Sequence, residues 1–557
     1  LKTSEIRGLK VERAATFLTP ADRQILGTEH ISFSVNTPVR VSLLRDLGLT
    51  NEPFWLPEQG FAKTATRWKE DEDQYEVWQK DFPAGRVGLG VNSLRGGGAH
   101  YAIALTPVTP GAALTVTDLY PGQLRLDTLQ SGVKPHVDSD RVFTNLPPAL
   151  LGQTCIRTVN ASRDDARLID TLLVTDHPAS LAPDNIILTW GGDPRSTQSI
   201  QWRTSSGTRG GMVLYKKKEW PNEPVRPFQP AYAQSTRIDA QNVVNNPTMF
   251  WHTAVLRDLE PDTTYVYIVG DGSREAWSRP AEFTTAPTRT KPFSFIYMGD
   301  AQNGLDTWGK LVRRAYQDRP DAAFYLMAGD LVNRGAERDD WDKLFHNAAG
   351  IYDHRQLVPV IGNHECQGVN SYPALYLKFF DLPRNGPPNL EPKRAYAFEY
   401  SNALFVILDS NLPPETQTAW LEQQLSQSKA KWKFVSYHHP AYSSVPRRDN
   451  KQVRDLWTPI FDKYHVDMAL QGHDHAYLRT YPMNGQKRVN GPRDGTVYIV
   501  SVSGTKHYKQ DKRNYTEVGM TNVSTFQVLD IRIDGDRLTY RAYDTEGKLR
   551  DELVIEK

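Results

Sequence analysis

Five short motifs in the second half of the chain carry the residue types from which a hydrolytic metal centre is built. In order they are Gly299-Asp300-Ala301-Gln302, Gly329-Asp330-Leu331-Val332-Asn333, Gly362-Asn363-His364-Glu365, Val435-Ser436-Tyr437-His438 and Gly472-His473-Asp474-His475. They offer the carboxylates of Asp300 and Asp330, the amide of Asn363 and the imidazoles of His438, His473 and His475. Hard ions take carboxylate oxygen, and imidazole suits zinc, iron and manganese. Two such ions about 3.5–4 Å apart clamp the attacking and leaving oxygens of an in-line displacement. A carboxylate shared between them holds that separation, and Asp330 is the candidate bridge. Water on such an ion ionises near about pH 7. Phosphoryl transfer then needs mainly positioning and charge neutralisation. His364 stands next to Asn363 and can protonate a leaving alkoxide, with His439 as a second candidate for that help.

Each motif follows an apolar run of strand length. The runs are 293–298, 322–328, 357–361, 432–435 and 466–470, and each ends in glycine or polar residues. Such runs read as buried strands that end in loops. Helical spacing fills the gaps. Trp308, Leu311, Val312, Ala315 and Tyr316 form one apolar stripe; Val453, Leu456, Trp457, Ile460, Phe461 and Tyr464 form another. Alternating strand and helix predicts an α/β domain, with ligands held outside the carboxyl ends of the strands.

This ordered series resembles that of the calcineurin-like metallophosphoesterases and, among them, the purple acid phosphatases. The resemblance covers about 291–557. It implies a four-layer αββα domain with two metal ions. Asp300, Asp330 and His475 would hold the first; Asp330, Asn363, His438 and His473 would hold the second. His364 matches the motif histidine that assists protonation of the leaving group. The implied reaction is hydrolysis of small phosphate esters by in-line attack of metal-bound hydroxide, with phosphomonoesters first and phosphodiesters as the alternative.

Two positions depart from the family pattern. Asn333 stands where purple acid phosphatases have a tyrosinate ligand, and Gln302 where other metallophosphoesterases have histidine. The Gln302 carbonyl oxygen is expected to substitute, with Asn333 behind it or as a ligand. No tyrosinate-to-iron colour is expected, and zinc, manganese or an iron–zinc pair all suit the donors. A glycan-binding or adhesion protein with a decayed site is the reading from another class. Retention of Asp330, Asn363, His364, His438, His473 and His475 argues against it.

Several neighbours are candidates for the pocket rim: His439, Arg447 and Arg448 on the loop after His438, and His507 and Tyr508 after the apolar run 497–502. Arginine suits phosphate oxygens. Upstream, a polar, proline-marked stretch at 284–292 precedes the catalytic half. Strands expected at 185–190, 199–202, 250–255 and 264–269 alternate with turns, which predicts a β-sandwich. Leu259-Glu-Pro-Asp-Thr-Thr-Tyr265, Trp277-Ser278 and the segment 283–287 resemble a fibronectin type III module over about 181–288. Purple acid phosphatases carry such a module before the catalytic domain. Residues 1–180 read as a further β-rich domain, with strands at 31–35, 39–43 and 101–105. Trp55, Trp68 and Trp78 there are either a sugar-stacking set, giving carbohydrate contact, or core. Gly96-Gly97-Gly98 has no phosphate-binding lysine and reads as a flexible loop.

Composition bounds the remaining classes. The chain has 557 residues, too many for one core, and three domains are expected. With 66 basic and 65 acidic residues, the net charge of +1 gives no global field for nucleic acid or an anionic membrane. A mean hydropathy of −0.55 without a long apolar run argues against a transmembrane helix. Cys155 and Cys366 fall in different expected domains, so no disulfide scaffold is expected. The chain starts at Leu1 without methionine, and an exported (periplasmic or secreted) protein with its signal removed is the expectation.

Overall fold

In a computed structural model, the runs before the five motifs are the strands Phe293–Met298, Phe324–Met327, Gln356–Pro359, Trp432–Ser436 and Met468–Gln471. The structure describes residues 2–70, 73–95, 98–160, 168–169, 172–208, 210–219, 226–273, 276–367, 371–532 and 536–557. Two compact units result, Leu1–Val174 and Thr175–Lys557.

Two sheets of the larger unit deliver the motifs. In the first, Phe293–Met298, Phe324–Met327 and Gln356–Pro359 run parallel, and Thr525–Arg532, Arg537–Asp544 and Leu549–Glu556 continue the sheet antiparallel from one side. In the second, Ala403–Ile407, Trp432–Ser436, Met468–Gln471 and Val497–Val500 run parallel. The pleat explains how the second sheet is covered on both faces. Phe405, Phe434, Met468, Leu470 and Ile499 belong to the large core that also contains Phe295 and Phe324 of the first sheet. Their alternates Leu404, Val406, Val435, Ala469 and Tyr498 join Trp420, Leu421, Trp457 and Phe461 of the helices Glu415–Gln427 and Lys451–Tyr464. Phe295 meets Phe405 and Phe434 edge-on, with ring centroids 5.2 and 5.4 Å apart. The helix Leu305–Asp318 adds Trp308, Leu311, Val312 and Ala315 to the core of the first sheet. Helix, sheet, sheet and helix therefore stack as four layers, and parallel strands from both sheets end on one rim.

The first sheet does not stop at Gln356–Pro359. Leu188 of Asp184–Thr189 pairs parallel with Gln356, and Gln198–Ser205, Thr248–Leu256 and Gln234–Asp239 extend the sheet to ten strands. A four-stranded sheet of Gln229–Tyr232, Met212–Lys217, Thr264–Gly270 and Ala281–Thr284 packs on this extension through Leu188, Ile200, Trp202, Val213, Tyr267 and Phe283. The polar stretch 284–292 thus joins two parts of one compact unit. A buried ion cluster reinforces the join. Arg203 lies 2.8 Å from Asp342 and 2.6 Å from Asp184, while Arg338 lies 3.0 Å from Asp342.

Residues Leu1–Val174 form a separate β-sandwich. A six-stranded sheet centred on Val39–Asp46 and Ala102–Pro107 packs on the three-stranded sheet Gly85–Leu89, Ile31–Val35 and Val116–Tyr120. Phe33, Val41, Leu43, Val87, Ile103 and Leu105 are the centre of its core. The tryptophans raised as a sugar-stacking set belong to the cores of this unit instead. Trp55 and Trp78 are 1% and 6% exposed, and Trp68 packs on the second core through Tyr75 and Phe143. Of the glycine run, Gly96 and Gly97 lie outside the described residues. No helix among the described residues is long and apolar enough to cross a membrane.

Candidate metal centre

Backbone conformation at the strand tips aims the candidate ligands. Asp300, Asp330, His473 and His475 have positive φ, at 49°, 53°, 74° and 46°. Left-handed backbone costs an ordinary residue about 1–2 kcal/mol, and such residues gather where a functional site imposes them. Two motif glycines make room. A Cβ on Gly362 would stand 2.2 Å from Asp330 Oδ1, and one on Gly472 would stand 2.4 Å from Asp300 Oδ2. Neither position accepts a side chain without moving a candidate ligand.

Two groups of donor atoms result, Asp300 with Asp330 and His475, and Asp330 with His438 and His473; within each, the atoms lie within 4.8 Å of one another. Asp330 belongs to both. Its Oδ2 is 3.2 Å from His438 Nε2, and Asp300 Oδ1 is 3.7 Å from His475 Nε2. Asn363 Oδ1 and His473 Nδ1 lie 3.1 and 3.2 Å from the same His438 nitrogen. His438 Nδ1 donates to the Ala328 carbonyl at 2.9 Å, and His475 Nδ1 to the Lys506 carbonyl at 3.1 Å. Both bonds leave Nε2 for the centre.

The oxygens of Asp330 and Asn363 converge on His438 Nε2, which requires a proton or another positive charge between them. Burial disfavours a charged His438, yet the carboxylates of Asp330 and Asp300 overcome it and raise this imidazole to about 9. Burial pushes Asp300 well above the usual carboxylate range. Asp300 Oδ1 and Gln302 Oε1 are buried acceptors without a hydrogen-bond partner. Orphaned acceptors are costly in a protein interior, and oxygen and imidazole donors together suit hard or borderline cations. The residues present fit a pair of metal ions.

The remaining candidates take different places. Gln302 is in the cluster, with Nε2 at 3.0 Å from Asp330 Oδ2 and 3.3 Å from His475 Nε2. The amide nitrogen thus faces Asp330, and a half-turn of the amide presents the oxygen. Asn333 is exposed; its carbonyl accepts from His364 Nδ1 at 2.6 Å, and His364 Nε2 lies 4.0 Å from Asp330 Oδ2. His439 packs on His473 with ring centroids 4.3 Å apart. Arg448 donates to Asp474 Oδ1 at 2.9 Å and to the His473 carbonyl at 3.1 Å. Tyr508 packs 4.7 Å from the His475 ring, with Arg448 and Lys506 at 5.6 and 5.2 Å from its own centroid. Arg447 lies outside the donor groups on an exposed loop, and His507 turns to Ser524, 3.2 Å away.

Three supporting residues were not singled out from sequence. Glu365 is fully buried and grips two motif loops at once. Its Oε2 accepts from the N–H groups of Asp330 at 2.8 Å and Gly362 at 2.7 Å, and its Oε1 from those of Leu331 at 2.8 Å and Val332 at 3.3 Å. Asp474 accepts from the Ser443 hydroxyl at 2.8 Å and the Ser444 N–H at 2.9 Å, fixing the turn between His473 and His475. Ser410 touches His439. Its apolar run 403–408 ending in Asp409-Ser410-Asn411 carries the same strand-tip signature as the five motifs.

Comparison with known proteins agrees with this architecture. Residues 183–285 match the model of the purple acid phosphatase N-terminal domain, and 293–477 match that of the calcineurin-like phosphoesterases. An uncharacterized Mycobacterium tuberculosis protein is 25% identical over 341 residues, covering 54% of this chain and 62% of the relative. The Fe(3+)-Zn(2+) purple acid phosphatase 12 of Arabidopsis thaliana is 26% identical over 326 residues, covering 54% of this chain and 66% of that one. The chain thus spans less than two thirds of the length of these relatives. The structure of a purple acid phosphatase from yellow lupin seeds aligns over 95% of this chain and 91% of its own, with TM-score 0.59 at 15% identity, a likeness of fold. Residues 183–285 and 293–477 together are a purple acid phosphatase-like domain pair, whose second member is a calcineurin-like phosphoesterase domain.

Proposed function

We propose that the chain is a metal-dependent hydrolase of small-molecule phosphate esters, phosphomonoesters first. One observation carries this reading: Asp330 is shared by two donor groups at the rim where five strand tips meet. The sandwich 184–284 is read as its fibronectin type III-like companion. When bound, the two ions supply Lewis acidity, activation of water and neutralisation of phosphoryl charge. Iron, zinc and manganese all suit the donors, and with Asn333 in the tyrosinate position no purple colour is proposed.

The protein's own groups do the rest. Asp330 fixes the spacing of the two donor groups. The Asn333 carbonyl holds the His364 Nδ1–H at 2.6 Å, so any further proton of that ring sits on Nε2, from which it can pass to the leaving oxygen. Lys506, exposed at Tyr508 beside His475, offers positive charge to the second negative charge of a monoester, while the Arg448 guanidinium is already paired with Asp474. That favours monoesters over diesters. The test is hydrolysis of p-nitrophenyl phosphate and bis(p-nitrophenyl) phosphate by metal-loaded wild type and His438→Ala. Faster wild-type turnover of the monoester, falling at least about 100-fold in the variant, supports the reading. Absence of turnover with zinc, manganese and iron alike contradicts it.

A further inference from the structure

The residue after the candidate ligand His438 is another histidine, tethered from a loop outside the five motifs. Ser410 follows the strand Ala403–Ile407, and its Oγ lies 2.9 Å from both the backbone nitrogen and Nδ1 of His439. The backbone N–H can only donate, so it occupies a lone pair of the hydroxyl oxygen. A second lone pair and the hydroxyl hydrogen remain, so the hydroxyl can either accept from Nδ1–H or donate to Nδ1; donation uses both its hydrogen and its oxygen. A neutral imidazole with Nδ1 accepting carries its one hydrogen on Nε2.

The ring is placed where such a donor is useful. Its centroid is 4.3 Å from that of His473 and 5.1 Å from that of His438, and the residue is partly exposed. No hydrogen bond engages Nε2 among the described residues. We propose that Ser410 is a positioning residue that holds neutral His439 as a fixed Nε2–H donor to the phosphoryl oxygens of the substrate. A donor already oriented toward developing negative charge stabilises it without reorganisation. Sharing of the serine hydroxyl between backbone and ring ties Ser410 to His439 at two points. The inference rests on the phosphoesterase reading and adds to it a donor that transfers no proton.

The test is a double-mutant cycle on the full chain loaded with metal, reading kcat/KM for p-nitrophenyl phosphate together with metal content by elemental analysis. His439→Ala is expected to lose about 100-fold, as for removal of one oriented donor. Ser410→Ala is expected to lose about tenfold, and the double variant to match His439→Ala within about twofold, because the serine acts through the ring. Ser410→Thr keeps the hydroxyl and is expected to retain activity within about threefold. All four variants are expected to keep the metal content of wild type. A double variant that loses the product of the single effects overturns the inference, as does wild-type kcat/KM in Ser410→Ala. Metal loss in Ser410→Ala also overturns it, since the serine would then support the ligands themselves. Wild type without turnover overturns the phosphoesterase reading and this inference together, whereas turnover with additive variants overturns this inference alone.

Discussion

Glu365 illustrates how much of the centre depends on a side chain that would touch no ion. Its carboxylate gathers four backbone N–H groups from the loops that carry Asp330 and Asn363. Glu365→Gln would turn one acceptor into a donor facing those N–H groups. The expected result is a 10- to 100-fold loss of metal affinity or activity, about the size seen for supporting residues behind metal ligands, read by metal titration and turnover. Wild-type affinity and rate in that variant would show that the four hydrogen bonds do not hold the loops. The gathering of Asp300, Asp330, Asn363, His438, His473 and His475 was legible because each stands at the end of an apolar run in a motif of unusual composition. Glu365, Asp474 and Ser410 were not, because Glu365 reaches Asp330, Asp474 reaches Ser443 and Ser410 reaches His439 across 35, 31 and 29 residues, and only the fold brings those together.

At the scale of elements, apolar runs of strand length and stripes of period 3.6 located the strands and helices because the same patterns bury them. Phe293–Met298 is the strand read from 293–298, and the stripe through Trp308 and Ala315 is the buried face of Leu305–Asp318. The joining of sandwich and catalytic strands into ten was not legible. It depends on Leu188 meeting Gln356, a pairing that no local pattern encodes. Asp342 makes this join measurable. Its carboxylate serves Arg203 and Arg338, and each of the three residues is 1% exposed. Asp342→Ala would leave Arg338 without its ion partner and Arg203 with Asp184 alone. Removing one partner of a buried ion pair costs about 3–5 kcal/mol, and urea unfolding of the full chain should show a loss of that size. A loss below about 1 kcal/mol, the range of exposed pairs, would mean that the cluster does not reinforce the join.

At the scale of the whole molecule, the smaller unit should lose stability in mild acid, because it buries a histidine remote in sequence from the candidate centre. His100 is fully buried, with Nδ1 donating to the Tyr101 carbonyl at 2.9 Å and Nε2 3.1 Å from His30 Nε2. Burial first, and then the neighbouring His30, lower its pKa from 6.5 to about 3; His136 adds to the shift, and the Tyr101 carbonyl opposes it. A pKa that falls on folding contributes stability above the unfolded value, lost as pH drops toward the folded one. Unit Leu1–Val174 should therefore lose about 2 kcal/mol between pH 7 and pH 5, and His100→Gln should lose less over the same interval. Hydrogen exchange of peptides from that unit, across a urea series on the full chain, reads the difference. Equal stability at both pH values would contradict it.

The central claim is that Asp330 makes two metal sites into one hydrolytic centre. Metal stoichiometry and p-nitrophenyl phosphate turnover, measured on the same preparations of wild type and Asp330→Asn after reconstitution, test it most directly. About two ions per chain with turnover are expected in wild type, and weakened binding at both sites with turnover down at least about 100-fold in the variant. Two ions held as tightly by Asp330→Asn as by wild type, or a metal-free wild type that still hydrolyses the ester, would contradict it.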